Sequence, residues 1–343
     1  MKNKRVLTAI IILALLALIS GICLILSLGK KEKIKVLILP KFEVGEMEGD
    51  FPGEAQYYYE AYAKGGKTYR IIGGFEDEEF YVKDGVGLYI TGMGKVNSAL
   101  SLGALLGDKR FDFSDAYIIS TGCAGGAVGY SVIGDVYVIS SVVDFDLGHT
   151  ADPRDQTEDS VTTWYHADDY DSAAYKLLNA KLTDKVYELV KDVPLETTER
   201  SRRYMSDSFD GEAWSLREPA VLRGTGVSGD NYWKGYYDHE NAILMTETYG
   251  CPDPFAVTEM EDVALAVLLD RLGMLDRYII LRDVVDMDVF TGSMTPESLW
   301  GTKSDDELAS EDSEESADIF PVAQENNFKV GKVLIDAILD GKL

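Results

Sequence analysis

VGLYITGMGKVNSALSLGALLG, residues 86–107, joins two kinds of segment through a pair of glycines. VGLYITGMG reads as a strand running into a glycine turn, and KVNSALSLGALLG continues as a helix. Outward from this unit the same design recurs. IKVLILP (34–40) is a buried strand that Pro40 ends, AYIISTGCAGG (116–126) is strand and glycine turn, and GDVYVISSVVDF (134–145) is another strand. PAVLRGTGVSG (219–229) is strand then turn, and RYIILRDVV (277–285) is a strand. Residues 172–192 read as a surface helix with Tyr175, Leu178, Leu182, Val186 and Leu189 roughly along one side. A helix over 258–272 stops at Gly273, a good residue just past a helix end, and KVGKVLIDAIL (329–339) closes the chain as an amphipathic helix. Strands alternating with helices indicate an α/β sandwich around one sheet. There is no internal repeat.

The chain has 343 residues and a formal charge of −26. Seven of the 33 Lys/Arg and only one of the 59 Asp/Glu lie in residues 1–35. The remainder therefore carries 26 bases against 58 acids, a net −32. Such a body is repelled by phosphate backbones, so nucleic acid is excluded as a partner and a small neutral ligand suits it. Residues 6–28 are an uncharged apolar run of 23, long enough to span a bilayer. We read residues 1–33 as an uncleaved signal anchor with its basic flank and 34–343 as one α/β domain. The body is expected outside the cytoplasm, with a cleaved and secreted form as the alternative. One spanning segment cannot form a solute pore. Only Cys123 and Cys251 lie in the body, and His149, His166 and His239 are scattered. No disulfide framework, metal site or cofactor is expected. SDDELASEDSEESAD (304–318), with eight acids and no base, reads as a solvated loop.

Three glycine turns follow strands: GMGKVNSA (92–99), TGCAGG (121–126) and GTGVSGD (224–230). Ligands of open α/β sheets bind at the carboxyl ends of strands, where glycine lets backbone N–H groups come close. None of the turns fits a P-loop or a dinucleotide fingerprint. TEMEDVALA (258–266) poses a separate question. Thr258 followed by Glu261 fits a capping box at the start of a helix, yet Glu261 sits beside an apolar face formed by Met260, Val263, Ala264 and Val267.

YIISTGCAGG, DLGHTADPRD, RGTGVSGDNYWKG, TEMEDVALA and ILRDVVDMD, in this order over residues 36–300, resemble the nucleoside phosphorylase/nucleosidase superfamily. Within it, the closer match is the purine nucleoside permease family. The resemblance implies a three-layer α/β/α sandwich around a central mixed sheet, preceded here by one hydrophobic helix. It also implies a ribose site in which Met260 packs on the sugar and Glu261 accepts from its hydroxyls. Glu259 and Asp262 are expected to point to solvent or to the cap. Asp286 matches the superfamily's purine-protonating aspartate, with Asp288 in reserve. The superfamily often has Ser-Asp where this chain has Val285-Asp286, and closer relatives tend to have Asn at the aspartate's place. Tyr232 or Trp233 stands where the superfamily sets an aromatic against the purine, beside the Gly122, Cys123 and Ala124 turn.

Phosphorolytic relatives hold phosphate with arginines, one of them shortly before the middle glycine turn. This chain has none between Arg110 and Arg154. Its first loop, PKFEVGEMEGD, offers Glu43, Glu46 and Glu48, and hydrolytic relatives activate water with a glutamate from this loop. Lys41, Lys95, Arg223 and Arg282 remain as candidate phosphate partners. The expectation is hydrolysis of a purine ribonucleoside ahead of phosphorolysis. The alternative from another class is a nucleoside-binding protein that serves a separate transporter. A homodimer is the default assembly.

Overall fold

The computed structural model describes residues 31–76, 78–157, 162–292, 294–300 and 318–343. The apolar run 6–28 and all of the acidic stretch except Asp318 lie outside the described residues. No helix among the described residues is long and apolar enough to cross a membrane.

Ten strands build one mixed sheet. They are β1 (Val36–Leu39), β2 (Lys67–Arg70), β3 (Glu79–Lys83), β4 (Val86–Leu88) and β5 (Tyr117–Gly126). They continue as β6 (Val136–Asp144), β7 (Tyr175–Leu177), β8 (Val221–Ser228), β9 (Phe255–Glu259) and β10 (Tyr278–Met287). The order is β7-β6-β8-β9-β5-β1-β4-β3-β2, and β10 pairs with both β5 and β6. Strand neighbours split between two cores, as a period of two demands. Leu37, Leu39 and Ile118 face one core, whereas Val36, Ile38 and Ile119 face the other. The first core is covered by Leu102 and Leu105 of α1 (Lys95–Leu106) with Leu265 and Leu269 of α5 (Asp262–Arg271). The second is covered by Leu182 and Val186 of α2 (Ala180–Val190) with Leu334 and Ile335 of α6 (Ile319–Leu339). The remaining long helices among the described residues are α3 (Glu199–Ser208) and α4 (Tyr236–Thr248).

Three expectations need correction. Helices do cover both faces, but the sheet is not an open sandwich layer. The ring β6-β8-β9-β5-β10-β6 closes half of it into a barrel-like core. Closure of this kind needs local bending, and register shifts occur at Gly224/Thr225 in β8 and between Val284 and Asp286 in β10. Residues 172–192 are not one helix: Tyr175–Leu177 pairs antiparallel with β6 as an edge strand. The helix starts at Ala180, where the Asn179 side chain accepts from the Leu182 amide. Thr258 and Glu259 likewise finish β9, and the helix expected from 258 begins only at Asp262.

Candidate active site

At the carboxyl ends of β1, β5, β9 and β10 lies a cleft of about 140 Å³. Cys123, Ala124, Tyr232, Trp233, Met260, Glu261 and Asp286 all line it. Gly122 stands just behind. Its φ of 153° and the Glu54 carboxylate, which a Cβ would strike, explain why only glycine fits. Glu43, Glu46 and Asp288 are not among the lining residues.

Glu261 does not close a capping box. Its Oε1 accepts from the Gly94 amide at 2.9 Å, and its Oε2 from Arg282 Nη2 at 3.0 Å. Glu261 is the N-cap residue, and the carboxylate at the helix start is that of Glu259, whose Oε2 accepts from the Glu261 and Asp262 amides at 2.6 and 2.8 Å. Glycine at 94 has φ 86° and caps α1, so the GMG turn delivers its amide to Glu261 across the cleft. Asp262, expected at the solvent or the cap, is fully buried and accepts from Arg282 Nε at 2.7 Å and from Ser120 and Tyr278. Arg282 also donates to Glu259 Oε2 at 3.1 Å and to the Cys123 carbonyl at 3.0 Å. Burial, and then the Asp262 charge, push Glu259 up to about 7.

The bulge before Asp286 re-aims the end of β10, so Val285 and Asp286 both reach the cleft. Asp286 Oδ2 accepts from the Tyr232 hydroxyl and from Lys234 Nζ at 2.8 Å. Asp288 turns the other way, accepting from the Val128 amide at 2.9 Å and pairing with His239 Nδ1 at 2.6 Å. Of the two aromatics, Trp233 is buried and stacked on Phe145 at 4.8 Å, whereas Tyr232 is half-exposed and meets Trp300 edge-on at 6.0 Å.

The first loop's carboxylates have separate fates. Glu43 is taken up by the backbone amides of Val44, Gly53, Ala55 and Gln56. Glu46 is exposed, and Glu48 pairs with Lys64 at the surface. The glutamate that does line the cleft is Glu54, which the sequence reading passed over. It is 4% exposed, and its two oxygens accept from the Lys41 amide at 2.7 Å and the Cys123 amide at 2.9 Å. Burial raises its pKa above the usual carboxylate range. The one signal for it is its place as the loop's last carboxylate, directly after Pro52-Gly53.

None of the four candidate phosphate partners has an idle cation. Lys41 Nζ donates to the Leu39 carbonyl at 2.6 Å and to Ser120 at 2.7 Å, and burial pulls its pKa down. Lys95 bridges Asp144 and Asp146, each at 2.7 Å. Arg223 pairs with Asp184 and Asp253, and Arg282 with its three carboxylates. The cleft lining itself holds Glu54, Glu259, Glu261 and Asp286 against Lys41 and Arg282.

Behind the cleft, Asp283 is fully buried and accepts from Gln324 Nε2 at 3.1 Å and Asn327 Nδ2 at 2.8 Å of α6. Burial, and then the Glu54 charge, push it up to about 7. A carboxyl raised in the fold binds its proton more tightly there than in the unfolded chain. Its share of stability is present below about pH 4 and is lost as pH rises towards about 7. Asp283→Asn should remove about 2–4 kcal/mol of that fall. Denaturant unfolding of both proteins between pH 4.5 and 7.5 checks it, and parallel profiles would refute it.

Solved structures with the same fold include the futalosine hydrolase of Helicobacter pylori. It aligns with TM-score 0.54 and 16% identity, over 88% of this chain and 97% of that one. The 5'-methylthioadenosine/S-adenosyl homocysteine nucleosidase of Helicobacter pylori aligns with TM-score 0.53 and 14% identity, over 91% and 100%. Identities this low establish the fold alone. Among curated proteins, a probable purine nucleoside permease of Schizosaccharomyces pombe is 28% identical over 232 residues, 60% of this chain and 65% of that protein. The purine nucleoside permease of Candida albicans is 27% identical over 239 residues, 63% of this chain and 57% of that protein. The chain thus spans less than two-thirds of the length of these curated relatives. A family model described as purine nucleoside permease matches residues 33–342, nearly the whole chain, and the chain belongs to that family.

Proposed function

We propose that the cleft binds a ribonucleoside, with a purine as the preferred base, and hydrolyses its N-glycosidic bond. The observation that carries this reading is Glu54, a buried carboxylate at a cleft whose two lining cations, Lys41 and Arg282, already have hydrogen-bond partners. Carboxylates in excess repel phosphate, yet accept hydrogen bonds from sugar hydroxyls and a proton from water. In this scheme Glu261 accepts from the ribose hydroxyls, Met260 packs on the sugar, and Tyr232 with Trp233 and the 122–124 turn flank the base. Asp286 gives its proton to a ring nitrogen as the C1′–N bond breaks and its electron pair leaves with the base. Water attacks C1′ and loses a proton to Glu54. One water is consumed, and both carboxyls return to their starting state by exchange with solvent. The proposed setting is the outer face of a membrane, with 6–28 as the tether.

The test is to incubate the full chain with inosine, adenosine and uridine, with and without phosphate, and to measure free base. Release without phosphate is expected. Release only with phosphate overturns the hydrolytic reading. Tight binding without release favours the second reading, nucleoside capture. That reading draws on the permease names of the relatives and on Val285, whose side chain cannot hydrogen-bond Asp286 and stands where the superfamily this chain resembles often has serine.

Glu261 offers a sharper probe of the sugar site. Hydrogen bonds to a charged group contribute about 1.5–3 kcal/mol each. Glu261→Ala should therefore weaken ribonucleosides about 10- to 100-fold, and their deoxy forms far less. Calorimetric titration with both series reads the difference. Equal losses would leave Glu261 with only its contacts to Gly94 and Arg282.

A further inference from the structure

Lys234 has no part in the scheme above, although its side chain is only 4% exposed and lies against Asp286. Its ammonium donates to Asp286 Oδ2 at 2.8 Å and to the Met287 carbonyl. The Tyr232 hydroxyl donates to the same Oδ2, and the ammonium sits 5.5 Å from the Tyr232 ring centroid. The next residue fixes the segment in place, since the Gly235 amide donates to the Asp288 carbonyl at 2.9 Å. Two donors therefore converge on one carboxyl oxygen. A carboxyl oxygen has about two lone-pair sites, so Oδ2 has none left for a proton. The proton of a neutral Asp286 belongs on Oδ1. That atom lies over bare backbone of the cleft: a Cβ on Gly125 would come within 3.0 Å of it.

We propose that Lys234 is the positioning residue of the proton donor. With Tyr232 it fixes which oxygen carries the proton, and its charge stabilises the carboxylate that remains once the proton has gone. The inference rests on the hydrolytic reading. In the step concerned, the Oδ1–H bond breaks and an N–H bond forms on the leaving base. The negative charge left on Asp286 is met by an ammonium already in place, with no reorganisation. Removing that ammonium leaves the new charge on Asp286 unmet, so the transfer is slower.

The experiment compares the full chain with Lys234→Met, Lys234→Gln and Lys234→Arg, with thermal unfolding to identify folded variants. Turnover of the two uncharged variants should fall about 10- to 100-fold with KM within about threefold. Arginine should restore most of the rate. Unchanged turnover, a loss carried by KM, or a loss that arginine does not restore overturns the proposal and leaves Lys234 as a strut for 232–235. A wild-type chain that binds nucleoside and releases no base defeats the hydrolytic reading itself, a different outcome from an active wild type that tolerates the loss of Lys234.

Discussion

Asp286→Asn is expected to slow base release by about 10²–10⁴-fold, the usual worth of a positioned general acid, while nucleoside affinity stays within about threefold. The split follows from the contacts. An asparagine oxygen can still accept from Tyr232 and Lys234 on the Oδ2 side, so the segment behind the base keeps its place. The amide then faces the base with N–H groups that can hydrogen-bond a ring nitrogen but cannot give up a proton. Binding tolerates that exchange, and bond cleavage does not. Single-turnover release of base, alongside a titration of nucleoside binding, separates the two. If turnover is unchanged, the acid lies elsewhere in the cleft. Glu259, already pushed up to about 7, is then the first group to replace.

Much of this geometry was legible in the sequence, for a physical reason. A strand ending in a glycine turn places its next residues at the sheet's carboxyl end, so TGCAGG, TEMED and VVD had to come near one another once the strands paired. Cys123, Glu261 and Asp286 do share one cleft. What escaped depends on pairings far apart in the chain. Lys234 and Asp286 are separated by 52 residues, and no local pattern marks them as a pair. The antiparallel contact of β10 with β6 that closes the ring is equally non-local. The segment 172–192 misled because Tyr175 and Leu178 continue the helical spacing of the residues after Asn179, whereas strand pairing takes Tyr175–Leu177 instead. In the first loop, residue type could not say which of five carboxylates turns inward. That choice is made by amides: four of them capture Glu43, and only two bind Glu54, at the wall of the cleft.

Those two amides make Glu54→Gln the companion test, with an expected loss of about 10²–10⁴ in phosphate-independent release. As a carboxylate, Glu54 accepts one backbone N–H on each oxygen and keeps further acceptor sites for water. Its burial raises its pKa, which makes it a stronger base than an exposed glutamate at the same pH. Glutamine removes the charge and sets an N–H group against either the Lys41 or the Cys123 amide. The variant should therefore also be less stable, by about 1–3 kcal/mol for the donor left unsatisfied. The two effects are separable, because an unfolding curve reports the second and turnover of the folded fraction reports the first. Adding phosphate to the variant decides what the lost carboxylate did. If release stays low with phosphate present, Glu54 served water. If phosphate restores release, the cleft accepts an anion once the repelling charge is gone, and the hydrolytic preference resides in this one side chain. Full release without phosphate in the variant would show that water is activated by another group, and Glu54 would keep only its place between the Lys41 and Cys123 amides.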